Sequence, residues 1–288
     1  MDVGPNASGK PYRGRLAPSP TGLLHIGHAC TFWIAYRRSV EHDGTLIFRN
    51  EDLDPQRSKQ EFAHAMLEDL QWLGIRWQEG PDVGGPCAPY EQSRRREFYL
   101  AAWRQLRDNG FIYPCDCSRK DLDTSAAAPN EGNDEPIYSG RCRGRLADAG
   151  KYPTPAGVNW RFQVPDGELL EFPDLRQGPQ RFFAGKDFGD FVVWRRDDVP
   201  AYQLAVAVDD AAMEITEVVR GADLLKSTAR QLLVLHALGL TIPAYYHCDL
   251  LRDEAGVRLA KRHDALSLRT LRDLGHTPEQ VLHRCKML

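Results

Sequence analysis

The sequence predicts an α/β fold built around a parallel sheet, and three observations support this prediction. Strand-like segments at residues 12–17 and 45–50 flank a helix-like segment at 29–41, which is the order of a βαβ unit. A turn rich in proline and glycine, between residues 17 and 28, joins the first strand to that helix. Strand-like and helix-like segments alternate again from residue 204 to 251, as expected for the second half of such a fold.

Two further helices are predicted in the first half of the chain. Ser58 and Glu61 have the spacing of a capping box, and apolar residues at helical spacing behind them predict a helix that ends at Gly74. This helix would cover the sheet. Another helix is predicted over residues 94–109 and is closed by Gly110.

The middle of the chain has a different composition. Residues 121–135 are small, polar or acidic and show no apolar periodicity, which predicts a loop. Short strands are predicted at residues 158–163, 181–184 and 191–194. The later segments predict strands at 204–208, 215–219 and 245–251, a helix at 227–238, and a last short helix capped at Thr277-Pro278.

Composition and charge exclude several classes of protein. The chain has 288 residues, of which 42% are hydrophobic and 27% charged, as in ordinary globular proteins. It has no apolar run long enough for a membrane span, and residues 1–10 lack the apolar core of a signal peptide, so we expect a cytoplasmic protein without membrane contact. The net charge of −3 means that any contact with nucleic acid depends on local basic patches. Taken singly, a basic patch is more often a solvated surface than a binding site. The candidate patches are Arg94-Arg95-Arg96, Arg141/Arg143/Arg145, Arg195-Arg196, Lys261-Arg262 and Arg269/Arg272.

The turn before the first helix has the features of a phosphate site. Its sequence, Ala17-Pro18-Ser19-Pro20-Thr21-Gly22-Leu23-Leu24-His25-Ile26-Gly27-His28, would leave backbone N–H groups free at a helix N-terminus. Gly22 and Gly27 would let a nucleotide approach the backbone, and His25 and His28 can donate hydrogen bonds to phosphate oxygens. The alternative is a Pro/Gly loop with two surface histidines.

This run resembles the HIGH signature of class I aminoacyl-tRNA synthetases. The segments 15–19 and 49–54 narrow the resemblance to the glutamyl branch, and it extends from about Arg13 to about Asp264. Further matching segments are Trp72-Leu73-Gly74-Ile75, Glu79-Gly80-Pro81, Tyr202-Gln203-Leu204-Ala205 and Val219-Arg220-Gly221-Ala222-Asp223-Leu224.

The resemblance implies a Rossmann-like catalytic domain made of residues 11–99 and 196–250. Residues 100–195 would form an inserted subdomain that resembles the family's acceptor-binding insertion, and residues 251–288 a loop followed by a short C-terminal helical segment. Residues 1–10 would be a flexible N-terminus. Because full glutamyl-tRNA synthetases are much longer, the sequence is expected to have no anticodon-binding domain.

The length also bears on the acceptor of glutamate. The sequence is similar to stand-alone paralogues of the glutamyl catalytic core, which place glutamate on queuosine, the modified wobble base of tRNA(Asp). Such an enzyme would use ATP, L-glutamate and tRNA(Asp) bearing queuosine, activate glutamate without tRNA, and work as a monomer. One alternative is a truncated glutamyl-tRNA synthetase that charges the 3′ end of tRNA(Glu). Another is a binding or regulatory module without catalysis.

The resemblance implies that residues of two separate signatures meet at the phosphates of ATP and act in catalysis. His25, His28 and Lys261 would be catalytic, and Gly27 would contact ATP together with them. Lys261 lies in Arg258-Leu259-Ala260-Lys261-Arg262, which departs from the usual K-[LM]-S-K signature by having Arg258 for the first lysine and Ala260 for serine. Mg²⁺ is expected to accompany ATP.

Glutamate has two carboxylates and one ammonium, and its binding residues follow from the resemblance. Arg15 and Arg220 occupy the family's glutamate-contacting positions, where a guanidinium can bind a carboxylate with two hydrogen bonds. Glu51 would contact the substrate ammonium. The remaining residues expected to line the pocket are Ala17, Ser19 and Tyr202.

A zinc site is predicted in the middle of the chain. Cys115, Cys117 and Cys142 offer three thiolates within a short segment, which suits the tetrahedral preference of a structural Zn²⁺ ion. In the family a tyrosine is the fourth ligand, which makes Tyr138 the candidate, and water or Asp116 are alternatives. Disulfides are not expected in a cytoplasmic protein, so the other cysteines are interpreted as packing residues or free thiols. These are Cys30, Cys87, Cys248 and Cys285.

Overall fold

The computed structural model describes residues 10–117, 137–251 and 267–287. The predicted βαβ unit is confirmed. Strand β1 (Arg13–Leu16) and strand β2 (Thr45–Phe48) pair in parallel, and helix α1 (Ile26–Glu41) connects them. Helix α1 therefore begins directly behind the turn that follows β1, so the turn and the helix N-terminus lie together at the carboxyl edge of the strand.

Helix α2 (Gln60–Trp72) and helix α3 (Arg96–Asp108) follow. The predicted capping box at Ser58 is wrong, because Lys59 is the N-cap residue and its side chain accepts no hydrogen bond from the helix backbone. The backbone N–H of Ser58 instead donates to the carbonyl of Asp54 at 2.8 Å, which closes a turn before the helix. Helix α3 ends as predicted before Gly110, which has a positive φ of 74°.

The middle of the chain forms an antiparallel sheet of three strands, β3 (Ile112–Cys115), β4 (Asn159–Phe162) and β7 (Phe191–Trp194). Their order in the sheet is β3–β4–β7. Strands β4 and β7 agree with predicted segments. The predicted loop at residues 121–135 lies outside the described residues.

A third sheet has four strands, β5 (Leu169–Asp174), β6 (Gly178–Phe183), β8 (Glu217–Gly221) and β9 (Ala244–Cys248). Their order in the sheet is β6–β5–β9–β8. Strands β5 and β6 form an antiparallel hairpin, and β5 joins β9 through the parallel pair Asp174 and Tyr245. Strands β8 and β9 are parallel. The hairpin therefore places part of the 100–195 range in one sheet with strands of the second half of the chain.

The predicted strand at 204–208 is wrong, because these residues lie inside helix α4 (Tyr202–Ala212). All residues from Gln203 to Asp210 are buried, so the helix has no exposed polar stripe. A short apolar run with such uniform burial cannot be told from a buried strand by its periodicity. Helix α5 (Leu225–Leu238) packs beside α4, and both lie in the larger hydrophobic core.

Two short helices end the described chain, α6 (Leu268–Asp273) and α7 (Pro278–His283). The predicted cap of the last helix is confirmed, because Thr277 and Gln280 form a reciprocal capping box. Residues of these helices join a second core that also contains one face of α1. None of the helices within the described ranges is long and apolar enough to span a bilayer.

A disulfide joins Cys30 on α1 to Cys285 near the end of the chain. The interpretation of these two cysteines as packing residues or free thiols is therefore wrong. They are separated by 255 residues in sequence, and only the packing of the C-terminal helices against α1 brings them together. Cys87 and Cys248 are free thiols, as predicted.

Candidate functional site

The predicted phosphate site lies at the beginning of α1. His25 is the N-cap residue, and its Nδ1 accepts a hydrogen bond from the backbone N–H of Gly27 at 3.1 Å. Nδ1 of His28 accepts from the backbone N–H of His25 at 3.4 Å, and the two rings stack with centroids 3.7 Å apart. Because Nδ1 is the acceptor in both rings, the neutral rings carry their proton on Nε2, which is then a hydrogen-bond donor.

The same helix start favours an anion in two further ways. A Cβ atom at Gly27 would lie 3.0 Å from the His25 ring, so a side chain there would displace the histidine. The first turn of α1 contains no acidic residue, which leaves the positive end of the helix dipole uncompensated by carboxylates of that turn. His25 is half-buried and His28 is exposed, so a ligand can reach this edge.

A buried ionic network lies beside this turn. The guanidinium of Arg49 donates to Asp210 at 2.7 Å and to Glu51 at 2.9 Å. Nε of Arg15 lies 3.6 Å from the same Asp210, and its Nη1 donates to the carbonyl of Val219 at 2.7 Å. Strand β1 and helix α4 thus contribute opposite charges to one cluster, in which Arg15 and Glu51 are both less than a tenth exposed.

Burial changes the ionisation of this network. It raises the pKa of Glu51 above the ordinary value, although the positive charges of Arg49 and Arg15 oppose this change. Burial also lowers the pKa of Arg15, which Asp210 partly counteracts, while the neighbouring Arg49 lowers it further. The charges are therefore held by their mutual attraction and not by solvent.

Arg220 and Tyr202 complete the predicted glutamate site. Arg220 lies on β8, where its Nε donates to His247 at 3.2 Å and its Nη2 donates to Thr228 at 2.7 Å. Tyr202 is the first residue of α4. Burial raises the pKa of its hydroxyl, and the charges of Arg220, Glu51 and Arg15 act on the same hydroxyl.

The structure thus brings Arg15, Glu51, Tyr202 and Arg220 together, and their binding of glutamate stays a prediction. Ala17 and Ser19 follow β1 on the turn that leads to His25, where Ala17 is half-buried and Ser19 exposed. Three other predicted residues, Arg258, Ala260 and Lys261, lie outside the described residues.

Several residues of the site were missed by sequence reasoning. Arg49 lies in a segment that resembles the glutamyl branch, but the sequence analysis assigned it no function. Asp209 and Asp210 directly follow the segment 204–208, which was wrongly predicted as a strand, and were assigned no function either. Two adjacent acids within an apolar helix are the signal that could have found them, because buried carboxylates need cationic partners. Asp209 is buried and accepts from Arg95 at 2.6 Å. His247 contacts both Asp174 and Arg220. Neither His247 nor Asp174 has an adjacent residue in the sequence that would have marked it as part of the site.

The basic patches divide into paired and exposed residues. Arg95 is buried against Asp209, and Arg143 pairs with the buried Asp190 at 2.6 Å. These two arginines therefore stabilise the fold. Arg94 and Arg96 remain partly exposed, at 67% and 42%, although they pair with Glu91 at 3.2 Å and Asp198 at 2.6 Å, so this patch presents two solvent-facing guanidinium groups.

Three buried thiols form the only cluster of metal-ligand type found among the described residues. The Sγ atoms of Cys115, Cys117 and Cys142 all lie within 4.8 Å of one another. The hydroxyl of Tyr138 lies 3.7 Å from Cys115 Sγ and 3.6 Å from Cys117 Sγ. Asp116, the alternative fourth ligand, is half exposed and pairs instead with Arg145. The donor set is therefore three thiols with a phenol beside them.

The dimensions of this cluster fit zinc. In a tetrahedral site with Zn–S bonds of about 2.3 Å, the sulfur atoms lie about 3.8 Å apart. The Sγ atoms of Cys117 and Cys142 are 3.6 Å apart, close to this value. Burial raises the pKa of Cys117 to about 11, so metal binding there would release a proton.

Comparison with known proteins identifies relatives of the whole described architecture. A family model described as tRNA synthetases class I (E and Q), catalytic domain, matches residues 12–288. The chain is 47% identical over 270 residues to a protein of Nitratidesulfovibrio vulgaris named Glutamyl-Q tRNA(Asp) synthetase, covering 91% of this chain and 82% of that protein. A protein of the same name from Symbiobacterium thermophilum is 48% identical over 278 residues, with 93% and 84% covered.

A solved structure extends the comparison to a longer protein. The crystal structure of glutamate-tRNA synthetase from Elizabethkingia anophelis matches with a TM-score of 0.76 and 29% identity. The match covers 93% of this chain and 54% of that one, so the chain spans about half the length of the solved structure. Its α/β fold is thus that of the class I catalytic domain.

Proposed function

This chain belongs to the class I tRNA synthetases for glutamate and glutamine and is a ligase of that family, and on this premise we propose that it activates glutamate with ATP and transfers it to queuosine in tRNA(Asp). In the first step the glutamate carboxylate attacks the α-phosphate of ATP, which releases pyrophosphate and forms glutamyl-adenylate. In the second step a hydroxyl of queuosine, the base at the wobble position, attacks the activated carbonyl and releases AMP.

The pairing of the buried arginines supports glutamate as the amino acid. Arg15 and Arg49 lie beside the carboxylates of Glu51 and Asp210, whereas the hydrogen bonds described for Arg220 go to the neutral side chains of His247 and Thr228. A substrate carboxylate would give Arg220 a direct anionic partner. The Nη1 atom of Arg220 and the Nε atom of Arg15 are buried and make no hydrogen bond within the described chain, so each has a donor to offer a carboxylate.

Glu51 would bind the substrate ammonium, with Tyr202, Ala17 and Ser19 lining the pocket. The arginines and Glu51 are already held in place by protein contacts alone. This pre-organisation supports activation without tRNA, because no RNA group is needed to order these side chains.

His25, Gly27 and His28 would hold the ATP phosphates at the start of α1. The Nε2–H groups of His25 and His28 and the backbone N–H groups of the helix N-terminus would stabilise charge that develops on the phosphates during attack. Lys261 is proposed to join them and to follow charge onto the leaving pyrophosphate. Mg²⁺ would accompany ATP and neutralise its phosphate charge.

The single observation that carries the proposed acceptor is the match to two relatives named Glutamyl-Q tRNA(Asp) synthetase over 82% and 84% of their length. The likeness to a glutamate-tRNA synthetase structure keeps a second candidate, which is charging of the 3′ end of tRNA(Glu). Both candidates share the glutamate and ATP sites and differ in the tRNA that is recognised and in the acceptor hydroxyl.

We also propose a structural zinc ion held by Cys115, Cys117, Cys142 and Tyr138. The cluster joins β3 to the segment that begins at residue 137, so a metal there would fix both ends of the intervening chain. The division into a catalytic domain of residues 11–99 and 196–250 with an insertion at 100–195 is part of the same proposal, as is a monomeric state.

The test is transfer of labelled glutamate to two preparations of tRNA(Asp), one with queuosine and one with unmodified guanine at the wobble position. Labelling of the first preparation alone is expected. If neither tRNA(Asp) preparation is labelled and tRNA(Glu) is charged instead, the protein is an ordinary glutamyl-tRNA synthetase.

Pyrophosphate exchange with ATP and glutamate, measured without any tRNA, tests the first step separately. Exchange with glutamate and not with aspartate or glutamine is expected. Absence of exchange, together with absence of transfer to every RNA, would favour a binding module without catalysis.

A further inference from the structure

Three buried polar side chains lie side by side on adjacent strands of the four-stranded sheet. Asp174 is the last residue of β5, His247 lies on β9, and Arg220 lies on β8. Arg220 and His247 are direct partners in the parallel β8–β9 register, and β5 joins β9 one strand further on. Each of the three is at most 5% exposed.

Asp174 is fixed as a hydrogen-bond acceptor. Its Oδ1 accepts from the backbone N–H groups of Arg176 at 3.0 Å and Gln177 at 2.7 Å, and its Oδ2 lies 2.6 Å from Nδ1 of His247. Burial would raise the pKa of Asp174, but these donors hold it below the ordinary value. The side chain is therefore a carboxylate, which can only accept.

The carboxylate determines which nitrogen of His247 carries the proton. Burial lowers the pKa of His247 to about 4, against the opposing effect of Asp174, so the ring is neutral at pH 7. A neutral ring has one N–H, and the carboxylate requires it at Nδ1. Nε2 is then an acceptor.

The acceptor at Nε2 faces Arg220. Nε of Arg220 donates to it at 3.2 Å, and Nη2 of Arg220 donates to Thr228, whose hydroxyl lies 3.0 Å from the same Nε2. Two of the three guanidinium nitrogens are thereby held. The third, Nη1, is buried and has no hydrogen-bond partner within the described chain.

We propose that Asp174 and His247 are positioning residues for the glutamate site, in which Asp174 selects the Nδ1–H tautomer of His247 and His247 orients Arg220 toward a substrate carboxylate. This inference rests on the proposed binding of glutamate by Arg220. It assigns the β5–β6 hairpin a part in amino-acid recognition, since Asp174 comes from that hairpin and not from the strand that carries the arginine.

Asp174→Asn is the discriminating variant. An asparagine amide can donate to Nδ1, which favours the Nε2–H tautomer and sets that N–H against Nε–H of Arg220. We expect the KM for glutamate in pyrophosphate exchange to rise about tenfold or more, the effect of one lost hydrogen bond, with the KM for ATP and kcat nearly unchanged.

Asp249→Asn is the matched control. Asp249 accepts from Arg176 and Gln177 in the turn between β5 and β6, at 2.8 Å and 2.7 Å, but the contacts described for it do not include His247. It should therefore perturb the same turn and leave the KM for glutamate at the wild-type value. An equal rise in both variants would show that the turn matters only for folding and would overturn the inference.

A second measurement is made on the wild-type protein and uses a variant only to assign its signal. Nitrogen-15 chemical shifts of labelled histidine in the wild-type protein report the tautomer, and the signal of His247 is the one lost in His247→Gln. A protonated Nδ1 with a bare Nε2 is expected, and the opposite tautomer overturns the inference. If wild-type protein exchanges pyrophosphate with glutamate while Asp174→Asn keeps its KM, the inference alone fails; if wild-type protein does not exchange, the proposed function fails with it.

Discussion

Replacing Arg15 by lysine separates charge from geometry in the proposed glutamate site. Arg15 is buried, donates from Nη1 to the carbonyl of Val219 at 2.7 Å, and lies 3.6 Å from Asp210 through Nε. A lysine ammonium keeps the positive charge and can reach one of these partners. It cannot keep both and also present a planar pair of donors to a carboxylate.

The expected loss follows from the hydrogen bonds removed. One charge-assisted hydrogen bond to the substrate contributes about 1.5–3 kcal/mol, so kcat/KM for glutamate should fall about 10- to 150-fold. The KM for ATP should not change, because the phosphate site at the start of α1 is untouched. Pyrophosphate exchange at varied glutamate and at varied ATP measures both quantities.

The matched control is Arg38→Lys. Arg38 also forms a bidentate pair, with Glu217 at 2.5 Å and 2.7 Å, but it lies outside the proposed pocket. Its replacement should lower the free energy of unfolding and leave the kinetics for glutamate intact. If Arg15→Lys activates glutamate as well as the wild type does, the bidentate role of Arg15 is refuted.

Three further outcomes are expected. Glu51→Gln should lower kcat/KM for glutamate at least tenfold in pyrophosphate exchange, because the substrate ammonium loses its countercharge, whereas the exposed Glu41→Gln should not; equal activity of both would contradict the role of Glu51. The pKa of His247 is about 4 in the folded protein against 6.5 when unfolded, so the unfolded state binds more protons below pH 7. The free energy of unfolding, measured in urea, should therefore fall by about 2 kcal/mol between pH 7 and pH 5. His247→Gln should not show this fall. The zinc content of the purified wild-type protein should be near one ion per chain. It should fall sharply in Cys117→Ser but not in Cys87→Ser. Equal zinc in the wild type and both variants would exclude the thiol cluster as the site.

The local parts of the fold were predictable because their signals are local. The βαβ unit, the stop of α3 at Gly110 and the cap of the last helix at Thr277 each depend on a few neighbouring residues. The error at α4 has a physical cause, since a helix buried on all sides shows no period. The disulfide between Cys30 and Cys285 could not be predicted, because it depends on tertiary packing across the chain.

The site shows the same division. A family resemblance predicted Arg15, Glu51, Tyr202 and Arg220, which the structure places together. The spacing of the cysteines predicted the thiols that form the cysteine cluster. The resemblance did not predict the support of the proposed glutamate site by Asp210 or by the pair of Asp174 and His247. Asp210 had a signal in the adjacent pair of acids in α4, which was overlooked. The contact between Asp174 and His247 joins segments 73 residues apart in sequence, and neither residue has distinctive neighbours along the chain.

The Cys30–Cys285 bond turns almost the whole polypeptide into a covalent ring. A single backbone cut anywhere between these residues, including in the stretch from 118 to 136, would leave one molecule of unchanged mass apart from the added water. Its two pieces would separate on a denaturing gel only after reduction. The ring also restricts the unfolded chain, and closing a loop of this length removes entropy worth about 5.5 kcal/mol at 25 °C in the chain-entropy treatment. Much of the resistance of the protein to unfolding would therefore arise in its unfolded ensemble.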